Sequence, residues 1–202
     1  MVDPMIFAAF VPAALALNLT PGADMMFCLG QGMRSGARGA WAASAGISSG
    51  SMVHVMLAGV GLGAVVAAAP LAFDVIRWAG VAYLMWLAWQ SIRAADVPRP
   101  EPLLARHAFR QGLVVNLTNP KVILFVLAFV PQFVRPDAGP VLVQFLIFGG
   151  VIALGGFVIN GLVGVFAGTF GAGLTRHARV LGWLTGGIFA VLAVRLAVMQ
   201  RA

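Results

Sequence analysis

Apolar and polar positions along this chain fall into long blocks rather than a short alternation. Six apolar stretches, at about residues 5–30, 40–66, 71–93, 110–134, 141–170 and 180–199, are separated by turn and charge signals. Those signals are Arg34-Ser-Gly-Ala-Arg38, Pro70, the proline-rich run from Asp96 to Arg110, Arg135-Pro-Asp137, and Arg176-His-Ala-Arg179. Each stretch reaches the ~20 residues that a transmembrane helix needs. The stretches are apolar all round, without the short alternating segments of a β-barrel. In lipid only a helix or a closed barrel satisfies its own backbone. The pattern therefore predicts an all-α integral membrane protein with six transmembrane helices.

Composition makes that reading firmer. Of 202 residues, 61% are hydrophobic and 9% charged, against about 25% charged in an average soluble domain. The mean hydropathy is +0.97. A soluble protein of this size leaves roughly a third of its unfolded surface wet, so a soluble enzyme and a disordered chain are both excluded. No enzymatic activity, cofactor or metal site is expected. The start, Met1-Val-Asp-Pro, has no basic segment, so no cleaved signal peptide is expected. The lone cysteine, Cys28, rules out a disulfide framework and a membrane thiol oxidoreductase, which would need a pair.

The charge is +7, and twelve of the thirteen basic residues are arginine. In so apolar a chain this balance points to the lipid bilayer as partner, not to nucleic acid. Sorted by connection, the arginines give a topology. Eight (Arg34, Arg38, Arg93, Arg99, Arg106, Arg110, Arg176, Arg179) fall in connections 1–2, 3–4 and 5–6. Four (Arg77, Arg135, Arg195, Arg201) fall on the opposite side. The positive-inside rule then puts both termini outside, in the periplasm of a bacterial inner membrane.

One internal echo stands out. Asn18-Leu-Thr-Pro-Gly in the first stretch matches Asn116-Leu-Thr-Asn-Pro-Lys in the fourth, 98 residues later (116 − 18). Trp78 with Leu87-Ala88 matches Trp183 with Leu192-Ala193, and His54 and Asn160 interrupt the second and fifth stretches. Two halves of three helices insert with opposite orientation, the inverted-repeat plan of secondary transporters. The chain reads as one transmembrane domain over 1–202: repeat one at about 5–93, a cytoplasmic loop at about 94–109, and repeat two at about 110–199. Gly46-x3-Gly50, Gly59-x3-Gly63, Gly164-x3-Gly168 and Gly182-x3-Gly186 fit close helix packing. A homo-oligomer is among the possible assemblies.

The breaks mark the candidate chemistry. Pro21-Gly22 and Asn119-Pro120 fall inside spans, and each proline frees backbone polar groups at membrane depth. Thr20 and Asn119 are suited to cap the half-helices that follow, with Pro21 and Pro120 at the first helical position. Each half-helix would turn its N-terminal N–H groups toward the bundle interior, where a carboxylate is the natural ligand. Asp24 lies ten residues from Arg34, and Lys121 eleven from Arg110, so both sit ~15 Å from the charged face at 1.5 Å per residue. Ionisable groups at that depth are costly and usually functional. Lys121 is also the only lysine, and a lysine, unlike an arginine, can release its proton.

Structural roles fit these residues too: Asp24 as a first-turn acid, Lys121 as its partner. The candidate substrate-binding set is Asn18, Thr20, Pro21, Gly22, Asp24, Asn116, Asn119, Pro120 and Lys121. Asp24, Lys121 and His54 are the proton-coupling candidates, although for His54 a hydrogen-bonded packing role is the simpler reading. Met25, Met26 and Cys28 read as apolar packing, because no His or carboxylate set completes a metal site. Phe27, Trp41, Tyr83 and Phe125 are candidates for setting selectivity.

The sequence resembles the LysE/RhtB family of bacterial amino-acid exporters. The carrying segments are Asn18-Leu-Thr-Pro-Gly-Ala-Asp24, Gly46 to His54, Trp78-Ala-Gly80-x2-Tyr83-Leu84, and Phe109-Arg-Gln-Gly-Leu-x2-Asn116-x2-Asn-Pro-Lys121, running on to Phe129-x-Pro131-Gln-Phe133. Ala23 is a departure, since members often have a second proline there. The resemblance implies efflux of an amino acid or close relative across the inner membrane, driven by protons and without ATP. An amino acid's carboxylate would suit Lys121 and a half-helix N-terminus, and its ammonium would suit Asp24 with freed carbonyls. Asp24 and Lys121 are expected to pair when the site is empty. The alternative of another class is an exporter of metal or other inorganic ions, which would need several deep acids where only Asp24 is clearly deep.

Overall fold

A computed structural model describes residues 2–68 and 105–167, with single helical positions at Trp78, Val81, Ala82, Met85, Trp86, Trp89, Trp183, Gly187, Ala190, Val191, Ala193 and Val194. Among the described residues every element is helical. They are α1 (Pro4–Leu19), α2 (Ala23–Ala68), α3 (Ala105–Leu117), α4 (Pro120–Leu124) and α5 (Val141–Val165). A π-helical turn (Phe125–Phe129) and a 3-10 turn (Val130–Phe133) extend α4, and a second 3-10 turn (Pro136–Ala138) leads to α5. The expected spans at about 71–93 and 180–199 lie mostly outside the described residues.

Helix α1 starts where Asp3 accepts a hydrogen bond from the Met5 N–H at 2.7 Å, with Pro4 in the first turn. It ends because the residue before a proline is driven out of the helical region: Thr20, ahead of Pro21, has φ −67° and ψ 118°. The same rule breaks the fourth span, where Asn119 ahead of Pro120 has ψ 106°. There α3 and the segment Pro120–Phe133 bend by 52°.

The expected turn at Arg34-Ser-Gly-Ala-Arg38 is shorter than a loop. Helix α2 runs on through it with one non-helical residue, Gly36, at φ 65° and ψ −167°. Only glycine takes a positive φ without steric cost, so a single residue turns the chain. Gly164 lies against both Cys28 and Ala40, one on each limb, so the limbs fold back side by side. Phe10, Asn18 and Cys28 meet Phe148, Ile152 and Gly164 in ascending order, while Ala40, Ser44 and Val55 meet Gly164, Phe157 and Gly149 in descending order. The first limb is therefore parallel to α5 and the second antiparallel to it.

Close packing rests on glycine at a few contacts. A Cβ at Gly32 would collide with the Gly164 carbonyl oxygen, and one at Gly46 with that of Phe109. Gly50, like Gly46, lies against α3, at Asn116, whereas Gly59 lies against Phe145 of α5. Helix α3 is already formed at Ala105, five residues before the expected start at about 110.

Two helical segments, Ala23–Gly61, which folds back at Gly36, and Val141–Val165, are long and apolar enough to cross a membrane, and the bent pair makes a third. Their outer faces carry exposed Leu57, Val60, Leu154 and Val158. Inside, Phe10, Phe125, Phe129, Phe133, Phe145 and Phe148 form one aromatic core. Phe10 sits 4.7 Å from Phe148 and 5.1 Å from Phe133, ring centre to ring centre. Such tilted and edge-on pairs add about 0.5–1.5 kcal/mol each to area burial. This core closes the end of the bundle away from Gly36.

Candidate functional site

The two broken spans run antiparallel and their breaks meet. Phe10 packs on Phe129 and Phe133, Leu17 takes a bond from Lys121, and Asp24 takes one from Asn116. Rising numbers on the first span thus meet falling numbers on the second. Each break supplies a side chain that serves the other.

Pro21 has no N–H for the carbonyl four residues back, Leu17. The Lys121 ammonium takes that place, donating to the Leu17 oxygen at 3.1 Å and to the Thr20 oxygen at 3.0 Å. Pro120 likewise frees the Asn116 carbonyl, which lies 3.2 Å from His54 Nε2 and also accepts the Asn119 N–H at 2.9 Å. A carbonyl can only accept, so His54 Nε2 is the donor and carries its proton. Hydrogen bonds to a charged group contribute about 1.5–3 kcal/mol each, so the lysine holds the first break firmly.

The capping expectation holds at one break and fails at the other. Asn119 caps α4, accepting the Lys121 N–H at 3.0 Å, with Pro120 in the first turn. Thr20 points the other way: its hydroxyl donates to the Ala16 oxygen at 2.5 Å, closing α1. Pro21 and Gly22 lie between Thr20 and the first residue of α2, so Thr20 is too far back to cap it and Pro21 is not its first residue. Thr118 repeats the backward bond, to Val114 at 2.9 Å.

The expected ion pair between Asp24 and Lys121 is absent. The ammonium is held by the first break's carbonyls, and Asp24 Oδ2 accepts from Asn116 Nδ2 at 2.9 Å. Asp24 is 6% exposed and Lys121 8%. Asp24 Oδ1 is buried with no hydrogen-bond partner, as is Asn160 Oδ1 on α5. Buried polar atoms are rarely left unpaired.

Both groups line one small cavity of about 10 Å³, with Asn18, Thr20, Ser51 and Lys121 on its polar side. Met25, Ile47, Val122, Ile152 and Gly156 form its apolar wall. That volume holds about one water, so this conformation is shut around the site. Asn18 donates to the Ile152 carbonyl at 3.1 Å, tying the first break to α5. Gly22 sits against Lys121, where a Cβ would lie 3.3 Å from Nζ, and Gly50 against Asn116, where it would lie 2.8 Å from Oδ1.

The geometry brings together Asn18, Thr20, Asp24, Asn116 and Lys121, with Asn119 and Pro120 shaping the second break. His54 touches that break from outside the cavity wall. Of the selectivity candidates, Phe27 lies in a cluster with Cys28 and Ile47, Trp41 packs on Phe157 at 4.9 Å, and Phe125 belongs to the aromatic core. None of the three lines the cavity, and Tyr83 lies outside the described residues. Ser51 and Asn160 were missing from the expected set. For Asn160 the signal was there, a polar residue interrupting the fifth span. Among the described residues no three His, Cys, Asp or Glu side chains gather as a metal site.

A family model described as LysE type translocator matches residues 15–200. A homoserine/homoserine lactone efflux protein from Salmonella typhimurium is 33% identical over 200 residues, covering 96% of this chain and 97% of its own. A leucine efflux protein from Enterobacter is 30% identical over 198 residues, covering 95% and 92%. A protein described as an uncharacterized membrane protein from Vibrio cholerae is 35% identical over 153 residues, 73% of each chain. No solved structure matches the chain. With its long apolar helices and a family match across nearly its whole length, this chain is a multi-pass membrane protein that belongs to the LysE type translocator family.

Proposed function

We propose that this chain is a secondary active exporter, not an enzyme, and that it moves amino acids or close derivatives across the bacterial inner membrane by proton antiport. One observation carries the reading: two proline breaks from antiparallel spans meet at a small cavity lined by a buried carboxyl and a buried ammonium. Irregular backbone at membrane depth is tolerated only where protein or a cavity satisfies it, and in transporters such breaks form the substrate site. The efflux relatives add the substrate class, since homoserine, its lactone and leucine all carry a primary amine beside a carbonyl.

The full architecture in this reading is six helices in two inverted repeats, with both termini in the periplasm. The antiparallel course of the first and fourth spans supports it. So does the arginine-rich turn around Gly36, which falls on the cytoplasmic side by the positive-inside rule. Substrate enters from the cytoplasm once the helices part. Its ammonium approaches Asp24 Oδ1, and its carbonyl end draws Lys121 away from Leu17 and Thr20. On the periplasmic side a proton replaces the ammonium on Asp24, substrate leaves, and the proton is carried inward on the return. The site residues proposed earlier keep their roles, with His54 as a holder of the second break and not a proton carrier. No finding favours export of metal or other inorganic ions.

The test is an export assay in proteoliposomes across a panel of radiolabelled amino acids, with and without an imposed pH gradient. Homoserine or leucine should move, and faster when protons flow the opposite way. Movement that ignores the gradient would remove antiport, and no movement of any amino acid would remove the export reading.

A further inference from the structure

We propose that Asn160 contacts the substrate and, with Asp24, receives its primary ammonium, so that the site demands the amine and not the carboxylate. The proposal rests on the export reading and names what that site recognises. Asn160 is 4% exposed and Asp24 6%. Both line the same cavity, Asp24 from α2 and Asn160 from α5, and each has a buried side-chain oxygen with no hydrogen-bond partner.

The donor groups around that cavity each have at least one partner. The Asn18 amide donates one N–H to Ile152, the Thr20 hydroxyl donates to Ala16, the Ser51 hydroxyl is shared at 3.4 Å between the Ile47 and Asn116 oxygens, and the Asn116 amide donates one N–H to Asp24. Lys121 uses two of its three N–H groups on Leu17 and Thr20. Among the residues lining the cavity, the buried side-chain atoms left with no partner at all are therefore two acceptors, one of them on a carboxyl. A primary ammonium supplies what is lacking, three N–H groups and a positive charge. The carbonyl end of the substrate takes an N–H of Lys121, and the oxygen of a carboxylate, an amide, an ester or a lactone can each accept it. Free amino acids and their uncharged carboxyl derivatives thus form one substrate class, while blocking the amine removes a compound from it.

The experiment is counterflow of radiolabelled leucine and homoserine by the full chain in proteoliposomes. Each is competed by its amide, which keeps the amine, and by its N-acetyl derivative, which keeps the carboxylate. The amide should compete within about threefold of the parent, and the N-acetyl compound at least tenfold more weakly. Asn160→Leu should weaken parent and amide about tenfold or more, the loss of a charge-assisted hydrogen bond. Asn160→Asp, which keeps the acceptor and loses the amide N–H groups, should restore both, a rescue that a role for those N–H groups would not give. An N-acetyl compound that competes as well as the amide would overturn the proposal while leaving export intact. So would wild-type affinity in Asn160→Leu, or equal loss in both variants. Absence of exchange of both compounds by the wild-type chain would overturn the export reading and this one together.

Discussion

The two breaks obey the same covalent rule and are repaired differently. In both, a proline pushes the preceding residue to an extended conformation and strands one carbonyl. At the first break the stranded Leu17 oxygen, with that of Thr20, is held by an ammonium from 104 residues away. At the second, the Asn116 oxygen has its own chain's Asn119 N–H as well as His54. Losing one donor therefore strands the first break and only weakens the second. The first break is closed by a group that a substrate can recruit, which makes it the part built to move.

That contrast can be broken most severely at Lys121. Lys121→Met leaves two buried carbonyls without a donor and should cost about 3 kcal/mol or more, read as a lower Tm in detergent, with transport lost. Gly50→Ala comes next. Its Cβ would meet Asn116 Oδ1 at 2.8 Å, pushing the amide off Asp24 at about 1–3 kcal/mol. Gly61→Ala, with nothing within 4 Å, serves as its control and should leave Tm and transport unchanged. His54→Phe should cost only about 1 kcal/mol and leave proton coupling in place, because Asn119 still serves the second break. A His54 variant that lost as much as Lys121→Met would erase the difference between the breaks. Smallest of all is Asp137→Asn in the exposed turn before α5. Arg135 donates to Asp137 at 2.8 Å and holds its carboxyl below the usual range. Any stabilisation is present at neutral pH and fades as pH falls through that lowered value. An exposed pair of this kind contributes little, so thermal unfolding at neutral pH should not change measurably.

Much of this was legible in the sequence because it is local. Proline position, the repeated Asn-Leu-Thr, the Asn119 cap and the depth of Asp24 and Lys121 all follow from a few adjacent residues. The direction of the Thr20 bond was missed for a local reason too: Pro21-Gly22 separates it from α2, whereas Asn119 is adjacent to Pro120. The partners of Lys121 and Asp24 were not legible, because they depend on how two spans about a hundred residues apart cross. Charge alone suggested that the two should pair, but two stranded carbonyls and one amide compete for them at closer range. Asn160 was visible as an oddity in an apolar span, and only the packing of α5 against the first span gives it a place beside Asp24. The hairpin at Gly36 was expected as a loop, since one positive φ suffices to turn a chain and leaves no mark longer than a glycine.

The central claim is that transport runs through the carboxyl and ammonium at the meeting of the breaks. Its most direct test is proton-coupled export by Asp24→Asn and Lys121→Ala in proteoliposomes, with matched amounts of folded protein. Asp24→Asn can keep its bond to Asn116 and should remain folded, yet lose coupling to the pH gradient, while Lys121→Ala should lose export. Full proton-coupled activity in both variants would contradict the account.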